Sequence, residues 1–500
     1  MKIITAQEMG RIEKMAYDDG AKEKTFMKNA GTGVAQEVQQ YVFDGHLKKN
    51  VTIVCGKGNN AGDAYVAAII FKRKKYAVKV LQLFPIEECS PLLKENYHGF
   101  IKEKGHVTFV EDVSDITFDD ETVIIDGILG TGFHGNVEGF LDAVITKINN
   151  SKLPVIAIDM PSGLNGTTGE AGDTAIRATK TISLGLPKTG FFISNGWDCV
   201  GKLQHVDFGL EQKYIEEADS TLSMLVEDDM KPLMPEIIPS RNKYQAGYVV
   251  GIAGSPGMAG AAMLAGEASL RGGAGITRVF HPKGMEAEMA EAPYELITQS
   301  YTNNDINTVA EALNKASAVF VGPGIGKQPA TKEFLKEIIR EIKKPCVFDA
   351  DALNIIAEDN TIQIPKGAIL TPHVGEMCRL LGKENTKTID EDFLEQCQKY
   401  SDDKNITVIL KGGPTFIFHP ETTPVVNTFG DPGMATAGSG DALTGLVAAL
   451  LAQKLKPYDA ARLAVYLHSY AGECAAQDLT SYCMTASDII EYFPEAFSIA

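Results

Sequence analysis

The 500-residue chain is 44% hydrophobic and 22% charged, ordinary for a soluble globular protein and too long for one core, so two or three domains are expected. Its 47 basic and 65 acidic residues leave a net charge of −18, which argues against nucleic acid or an anionic membrane as partner but not against one small phosphorylated ligand. Eight Cys without a C-x-x-C and nine His without an i, i+4 pair argue against zinc; with no apolar leader and no run of about 18 apolar residues, the expectation is a reduced, cytoplasmic protein without a membrane span.

The first residues read as helices. Thr5 and Glu8 have capping-box spacing, and Phe26, Met27, Ala30 and Val34 follow at helical intervals. Short apolar runs then alternate with helical stretches: VTIVC, VKVLQLF, TVIIDGIL, PVIAIDMP and KTISLGL. Such runs, buried on both faces and separated by helices, predict a parallel α/β sheet. After HVDFGL (205–210) a charged, proline-containing stretch marks a domain boundary near residue 220. A second α/β series follows, in YVVGIAGS, ITRVFHP, AVFVGPG, CVFDADAL, AILTPH and TVILKGG. Most of these strands deliver Gly, Asp, His or Lys at their C-terminal ends, where open α/β sheets bind ligands.

In the first half, Gly56, Gly58 and Ala61 fit the dinucleotide fingerprint G-x-G-x-x-G/A, but the next strand has no acidic end before Glu87, so a hydride-transfer dehydrogenase does not follow. Asn59, Asn60 and Asp63 supply oxygens suited to a hard cation beside N–H groups suited to a phosphate; equally, Asn and Gly are common turn residues. Asp126 ends a strand before a second glycine loop, and Asp159 ends another before Pro161, Ser162 and Gly163, so three polar strand ends converge on one crevice.

The segments FMKNAG, GKGNNAGD, DGILGTGF and IDMPSGLNG, in that order, resemble the YjeF N-terminal domain, the NAD(P)HX epimerase, over roughly residues 1–215. The resemblance implies that Asn59, Asn60, Ala61, Gly62 and Asp63, with Gly130, Thr131, Gly132, Phe133, His134, Gly135 and Asn136, cradle the hydrated dinucleotide. It further implies a potassium ion held by Asn60, Asp126 and Ser162, and Asp159 facing the nicotinamide ring for acid–base work in epimerisation at C6. Ala61 stands where the family has Gly.

In the second half, GDPGMATAGSGDALTG (430–445) combines small residues, which let a backbone approach a phosphate, with an apolar helix whose N-terminus faces it. Asp441 at its mouth suits a base for a hydroxyl attacking a phosphoryl group. The ending G-S-G-D resembles the ribokinase superfamily; GIAGSPGMAGAA, GPGIG, FDADALN, LTPHVGE and LKG narrow the resemblance to the NAD(P)HX dehydratase, the YjeF C-terminal domain, over about residues 225–500. It implies that Ala261, Gly324, His373 and catalytic Asp441 contact the hydrated nucleotide, while Lys411, Gly412, Gly413, Pro414, Thr415 and Gly440 hold ADP or ATP with Mg²⁺. Asp349, Asp351 and Asn354 either position Mg²⁺ through water or order their loop; Asn242 stands where the branch has a His.

Together the resemblances imply an N-terminal Rossmann-like three-layer α/β/α domain (1–220) and a C-terminal ribokinase-like α/β domain (221–500). They imply a bifunctional, homo-oligomeric enzyme acting on NADHX and NADPHX with K⁺ in one site and Mg²⁺ with ADP or ATP in the other. The competing readings are a vitamin-precursor or sugar kinase with a nucleotide-binding domain in front, and a non-enzymatic nucleotide sensor.

Overall fold

The computed structural model describes residues 1–119, 122–302, 305–386 and 388–498. Met1–Leu222 with the short segment Thr388–Glu391 form one unit, and the rest of the chain from Ser223 forms the other.

The seven-stranded sheet of the first unit is built of β1 (Asn50–Cys55), β2 (Ala77–Gln82), β3 (His106–Phe109), β4 (Val123–Gly127), β5 (Val155–Ile158), β6 (Lys180–Leu184) and β7 (Lys202–Val206). They lie in the order β3-β2-β1-β4-β5-β6-β7, every neighbouring pair parallel. Successive residues of a strand face opposite sides, which here means two cores. Ile53 and Cys55 join Val38, Ala64 and Phe100 from helices Glu23–Asp44, Asn59–Arg73 and Pro91–Lys102. Val54 and Ile124 join Val144, Ile145 and Ile148 of helix Gly139–Asn150. The three layers are thus helix, sheet, helix. Because the chain winds one way from β1 to β3 and the other way from β4 to β7, the C-terminal ends of β1 and β4 flank a topological switch point, where such sheets open a ligand crevice.

The second unit contains β8 (Leu222–Met224), β9 (Tyr248–Ile252), β10 (Ile276–Pro282), β11 (Ile297–Tyr301), β12 (Ala318–Val321), β13 (Cys346–Phe348), β14 (Ile369–Leu370), β15 (Thr407–Leu410), β16 (Thr415–Phe418) and β17 (Val425–Asn427). Their order is β8-β17-β16-β15-β14-β13-β12-β9-β10-β11. All neighbours are parallel except β15 with β16 and β16 with β17. Helix Ser439–Ala452 is buried along almost its whole length, as its sequence ALTGLVAALLA requires, and packs along helix Ala259–Arg271.

Strands β3, β7, β8, β11, β16 and β17 are not among the apolar runs picked out in the sequence. The outer ones alternate or carry polar residues, as HVTF and KLQHV do, because a half-exposed strand needs only one apolar face. The expected capping box is half formed: Thr5 Oγ1 accepts from Glu8 N–H at 3.1 Å, whereas the Glu8 carboxylate is taken by Arg11 and the Asp219 N–H.

Helices Ser439–Ala452 and Ala259–Arg271 meet at a glycine. A Cβ on Gly445 would lie 2.1 Å from the Ala265 carbonyl oxygen, a backbone atom that cannot step aside cheaply. Gly445→Ala is expected to lower stability by roughly 1–3 kcal/mol, the usual range for overpacking, read as a lower urea midpoint with unchanged m-value.

Candidate functional sites

At the first switch point the backbone closes tightly: a Cβ on Gly56 would lie 1.9 Å from the Ile128 carbonyl oxygen. Beside this contact opens a cavity of about 780 Å³. Asn59, Asn60 and Asp63 line it from the helix that follows β1, Gly130, Thr131, Gly132, Phe133 and His134 from the loop after β4, and Asp159 from beyond β5. Residues 59–63 are the first turns of a helix capped by Gly58, so Ala61 needs no positive φ and its methyl is buried in the core. Ala61 and Gly62 therefore face away from the cavity, Gly62 against the Met27 thioether; Gly135 and Asn136 also fall outside its lining.

Asp159 adopts φ +63, a left-handed conformation that Asp tolerates better than most residues and that turns the chain sharply after β5. Its Oδ1 accepts from Lys188 Nζ at 2.5 Å and from the Leu184 N–H at 3.3 Å. Lys188 is 0% exposed and also donates to the Leu184 carbonyl at 2.8 Å. Glu13, from helix Ala6–Asp18, lines the same cavity. Burial, reinforced by the Asp159 charge and opposed by Lys188, pushes its carboxyl up to about 7. Asp63 is pushed well above the usual carboxylate range by burial, then by Asp159 and Glu13. Neither Glu13 nor Lys188 is legible as a site residue in the sequence. Glu13 resembles any polar position of an amphipathic helix, and the one hint for Lys188 is its place in the turn LGLPKTG directly after a buried strand.

Asn60, Asp126 and Ser162 are adjoining. Asp126, 0% exposed, accepts from Ser162 Oγ at 2.6 Å, Ser162 N–H at 2.8 Å and Ile128 N–H at 3.1 Å. Burial outweighs these donors and raises its carboxyl to about 6. Asn60 donates to the Leu129 carbonyl at 2.7 Å, while its own Oδ1 is buried without a hydrogen-bond partner. A buried carboxylate beside an orphaned amide oxygen is a donor set that fits a hard cation. Among the described residues no group of three or more His, Cys, Asp or Glu is placed to hold a metal ion.

In the second unit Lys411 follows β15 directly and its Nζ lies 2.6 Å from Asp349 Oδ1, at the end of β13. Asp349 Oδ2 accepts from Thr444 Oγ1 at 2.8 Å, which ties the pair to helix Ser439–Ala452. Burial alone would lower the Lys411 proton affinity, but the charges of Asp349, Glu376 and Asp441 raise it overall. Asp441 lies in the first turn of that helix, after Gly438 at φ +92; burial and then the Asp349 charge push its carboxyl up to about 7 against the pull of Lys411. A Cβ on Gly440 would lie 3.2 Å from Lys411 Nζ, so the small residue keeps the space before the lysine open.

His373 caps helix Val374–Leu380: its Nδ1 accepts from the Gly375 N–H at 3.0 Å, which leaves the proton of the neutral ring on Nε2 as a donor. Burial, with Lys411 and Arg379, lowers its proton affinity and favours that neutral form. Gly412, Gly413 and Pro414 form the turn between β15 and β16, with a cis Gly413–Pro414 bond, and Thr415 Oγ1 donates to the Gly412 carbonyl at 3.0 Å. Ala261 and Gly324 adjoin, a Cβ on Gly324 falling 3.0 Å from that of Ala261. Asp351 accepts from the Gly326 N–H at 3.1 Å and Asn354 from Arg379 Nε at 2.8 Å. Asn242 accepts from the N–H groups of Tyr244 and Gln245 and stabilises a turn.

Comparison with known proteins agrees with this division. The profile described as "YjeF-related protein N-terminus" matches residues 23–190, and that described as "NAD(P)H-hydrate dehydratase" matches residues 249–495. The bifunctional NAD(P)H-hydrate repair enzyme Nnr of Moorella thermoacetica is 35% identical, over 99% of this chain and 96% of that protein. The protein of the same name from Escherichia coli is 31% identical, over 97% and 92%. A ribokinase-like superfamily protein from Enterococcus faecalis, of known crystal structure, superposes with TM-score 0.51 and 26% identity, over 56% of this chain and 96% of that one.

The Lys411–Asp349 pair supplies a test of site architecture. Asp349 is 1% exposed, and Lys411→Met strands its charge. The variant is expected to lose roughly 3–5 kcal/mol in chemical denaturation, the usual cost of breaking a buried pair. Combining it with Asp349→Asn is expected to recover part of that loss.

Proposed function

The chain belongs to the family of bifunctional NAD(P)H-hydrate repair enzymes, and from that premise we propose how its two sites divide the work. The first domain interconverts the (R)- and (S)-hydrates of NADH and NADPH at C6. The second dehydrates the (S)-hydrate at the expense of ADP or ATP with Mg²⁺. The observation that carries this reading is Asp441: a carboxyl in the first turn of a glycine-capped helix, pushed up to about 7 beside the ion pair of Lys411 with buried Asp349.

Asp441 takes the proton of the C6 hydroxyl as a nucleotide phosphoryl group is transferred to that oxygen. Phosphate then leaves C6 and a proton leaves C5, restoring the C5=C6 bond of the dihydropyridine. Phosphate is a far better leaving group than hydroxide, which is why a kinase-type site serves a dehydration. Lys411, the N–H groups at the start of helix Ser439–Ala452 and the side-chain-free Gly440 receive the phosphates, and the Nε2–H of His373 donates to bound ligand. Mg²⁺ bound with the nucleotide supplies charge neutralisation at the transferred group.

In the first domain the 780 Å³ cavity receives the hydrated nicotinamide nucleotide, with Asn59, Asn60, Asp63 and the loop Gly130–His134 around it. A potassium ion held by Asn60, Asp126 and Ser162 supplies positive charge at the strand ends. Asp159, held by Lys188, faces the reacting ring.

Asp441→Asn is expected to slow dehydration by roughly 100-fold or more while epimer interconversion continues, and Asp159→Asn to do the converse, both followed by chromatographic separation of the hydrates. Since a base acts only when ionised, kcat/KM for dehydration is expected to rise with pH through about 7 and level off above it. A profile flat from pH 6 to 8 contradicts the role given to Asp441. Exchange of K⁺ for a bulky organic cation is expected to lower the melting temperature, and Asp126→Asn to remove that dependence.

A further inference from the structure

Asp159 cannot by itself serve both proton transfers that inversion at a hydroxyl-bearing carbon requires. Its Oδ1 already accepts from the fully buried Lys188 Nζ at 2.5 Å and from the Leu184 N–H at 3.3 Å, the geometry of an acceptor and not of a proton donor. A second group carrying a proton is needed in the same cavity. Three further carboxyls line it, Asp63, Glu23 and Glu13, and Glu23 already accepts from the Asn59 side-chain amide at 2.8 Å. Asp63 sits in the first turns of helix Asn59–Arg73 and is 8% exposed, so little of its carboxyl is open to a bound ring. Glu13, on helix Ala6–Asp18, lines the cavity and makes no hydrogen bond or ion pair among the described residues.

On the reading of this domain as an epimerase, we propose that Glu13 is the proton donor to the departing C6 hydroxyl, working with the Lys188-held carboxylate of Asp159. Glu13 gives its proton to the C6 oxygen. The C6–O bond breaks, its electron pair leaving in water, and the ring-nitrogen lone pair forms a C6=N bond. Water adds to the other face of the planar carbon, the C=N electron pair returns to nitrogen, and Asp159 takes the proton that the added water loses. One proton has passed from Glu13 to Asp159, the opposite epimer is processed by the reverse sequence, and no oxidant or reductant is required. The groups that set the proton affinity of Glu13 are Asp159 and Glu23, which raise it with burial, and Lys188, which lowers it; Tyr17 and Asp63 also sense its charge. A donor titrating near neutrality is matched to this duty.

The test uses the full chain with purified (R)-hydrate and compares wild type, Glu13→Gln and Glu13→Asp. Glu13→Gln keeps the side-chain size and removes the acid. It is expected to reduce kcat for epimerisation by roughly 100-fold or more with little change in KM, and to abolish the fall in rate that wild type shows as pH rises above about 7. Glu13→Asp is expected to recover part of the rate and to retain a titrating limb. Dehydration of (S)-hydrate by the same preparations reports that the chain is folded. If wild type interconverts the epimers and Glu13→Gln does so at an undiminished rate with the same pH profile, the role of Glu13 is overturned. If wild type itself does not exceed the spontaneous rate, it is the epimerase reading that fails.

Discussion

In each domain a lysine is paired with an aspartate at the C-terminal edge of a parallel sheet, Lys188 with Asp159 and Lys411 with Asp349, and one member of each pair, Lys188 and Asp349, is buried. The pair fixes one positive and one negative charge where desolvation forbids either to stand alone. A further carboxyl close by then feels a fixed anion and little water. Glu13 in the first domain and Asp441 in the second both rise to about 7, each by burial first and by the paired aspartate second. An acid–base group matched to neutral pH thus follows in both domains from the same local electrostatics. Both carboxyls bind protons more tightly in the folded than in the unfolded chain, so their contribution favours the folded state at acid pH and is lost as pH rises toward about 7.

The backbone around these pairs is held in unfavourable conformations. Asp159 has φ +63 and Ala350, which follows Asp349, has φ +50 with ψ −122, outside the ordinary left-handed well. Such residues cost of order 1–3 kcal/mol and persist where the surrounding structure determines them. Here the surroundings are continuous sheet: Asp159 N–H donates to the Ile182 carbonyl of β6, and Asp349 N–H to the Val321 carbonyl of β12. The sheets therefore hold both carboxylates at their edges, as open α/β architecture directs.

Much of this is legible in the sequence because the strands that carry chemistry are the most apolar ones. VTIVC, TVIIDG and PVIAID announce both a buried strand and the polar residue at or just past its end, so the residue pattern alone places Asn59, Asp126 and Asp159 at one sheet edge. The positions that mislead are those where a motif is contiguous but its geometry is not. Ala61 belongs to the fingerprint and Gly62 to the segment GKGNNAGD, yet both face the core, because a helix turns successive side chains by about 100°. Gly135 and Asn136 extend a loop past the cavity it lines. Lys188, Glu13 and Thr444 act through tertiary contacts with residues far along the chain, and no local pattern encodes these.

The central claim is that one chain repairs both hydrate epimers through two sites, and it is tested most directly with an equimolar epimer mixture, Mg²⁺ and K⁺. Recovery of reduced nicotinamide is followed by its near-ultraviolet absorbance with ADP, with ATP and with neither. The account predicts nucleotide-dependent recovery of the whole mixture, faster than spontaneous epimerisation allows. Recovery that stops when the (S)-hydrate is spent would contradict the epimerase half, and a stable phosphorylated product without recovery would contradict the dehydratase half.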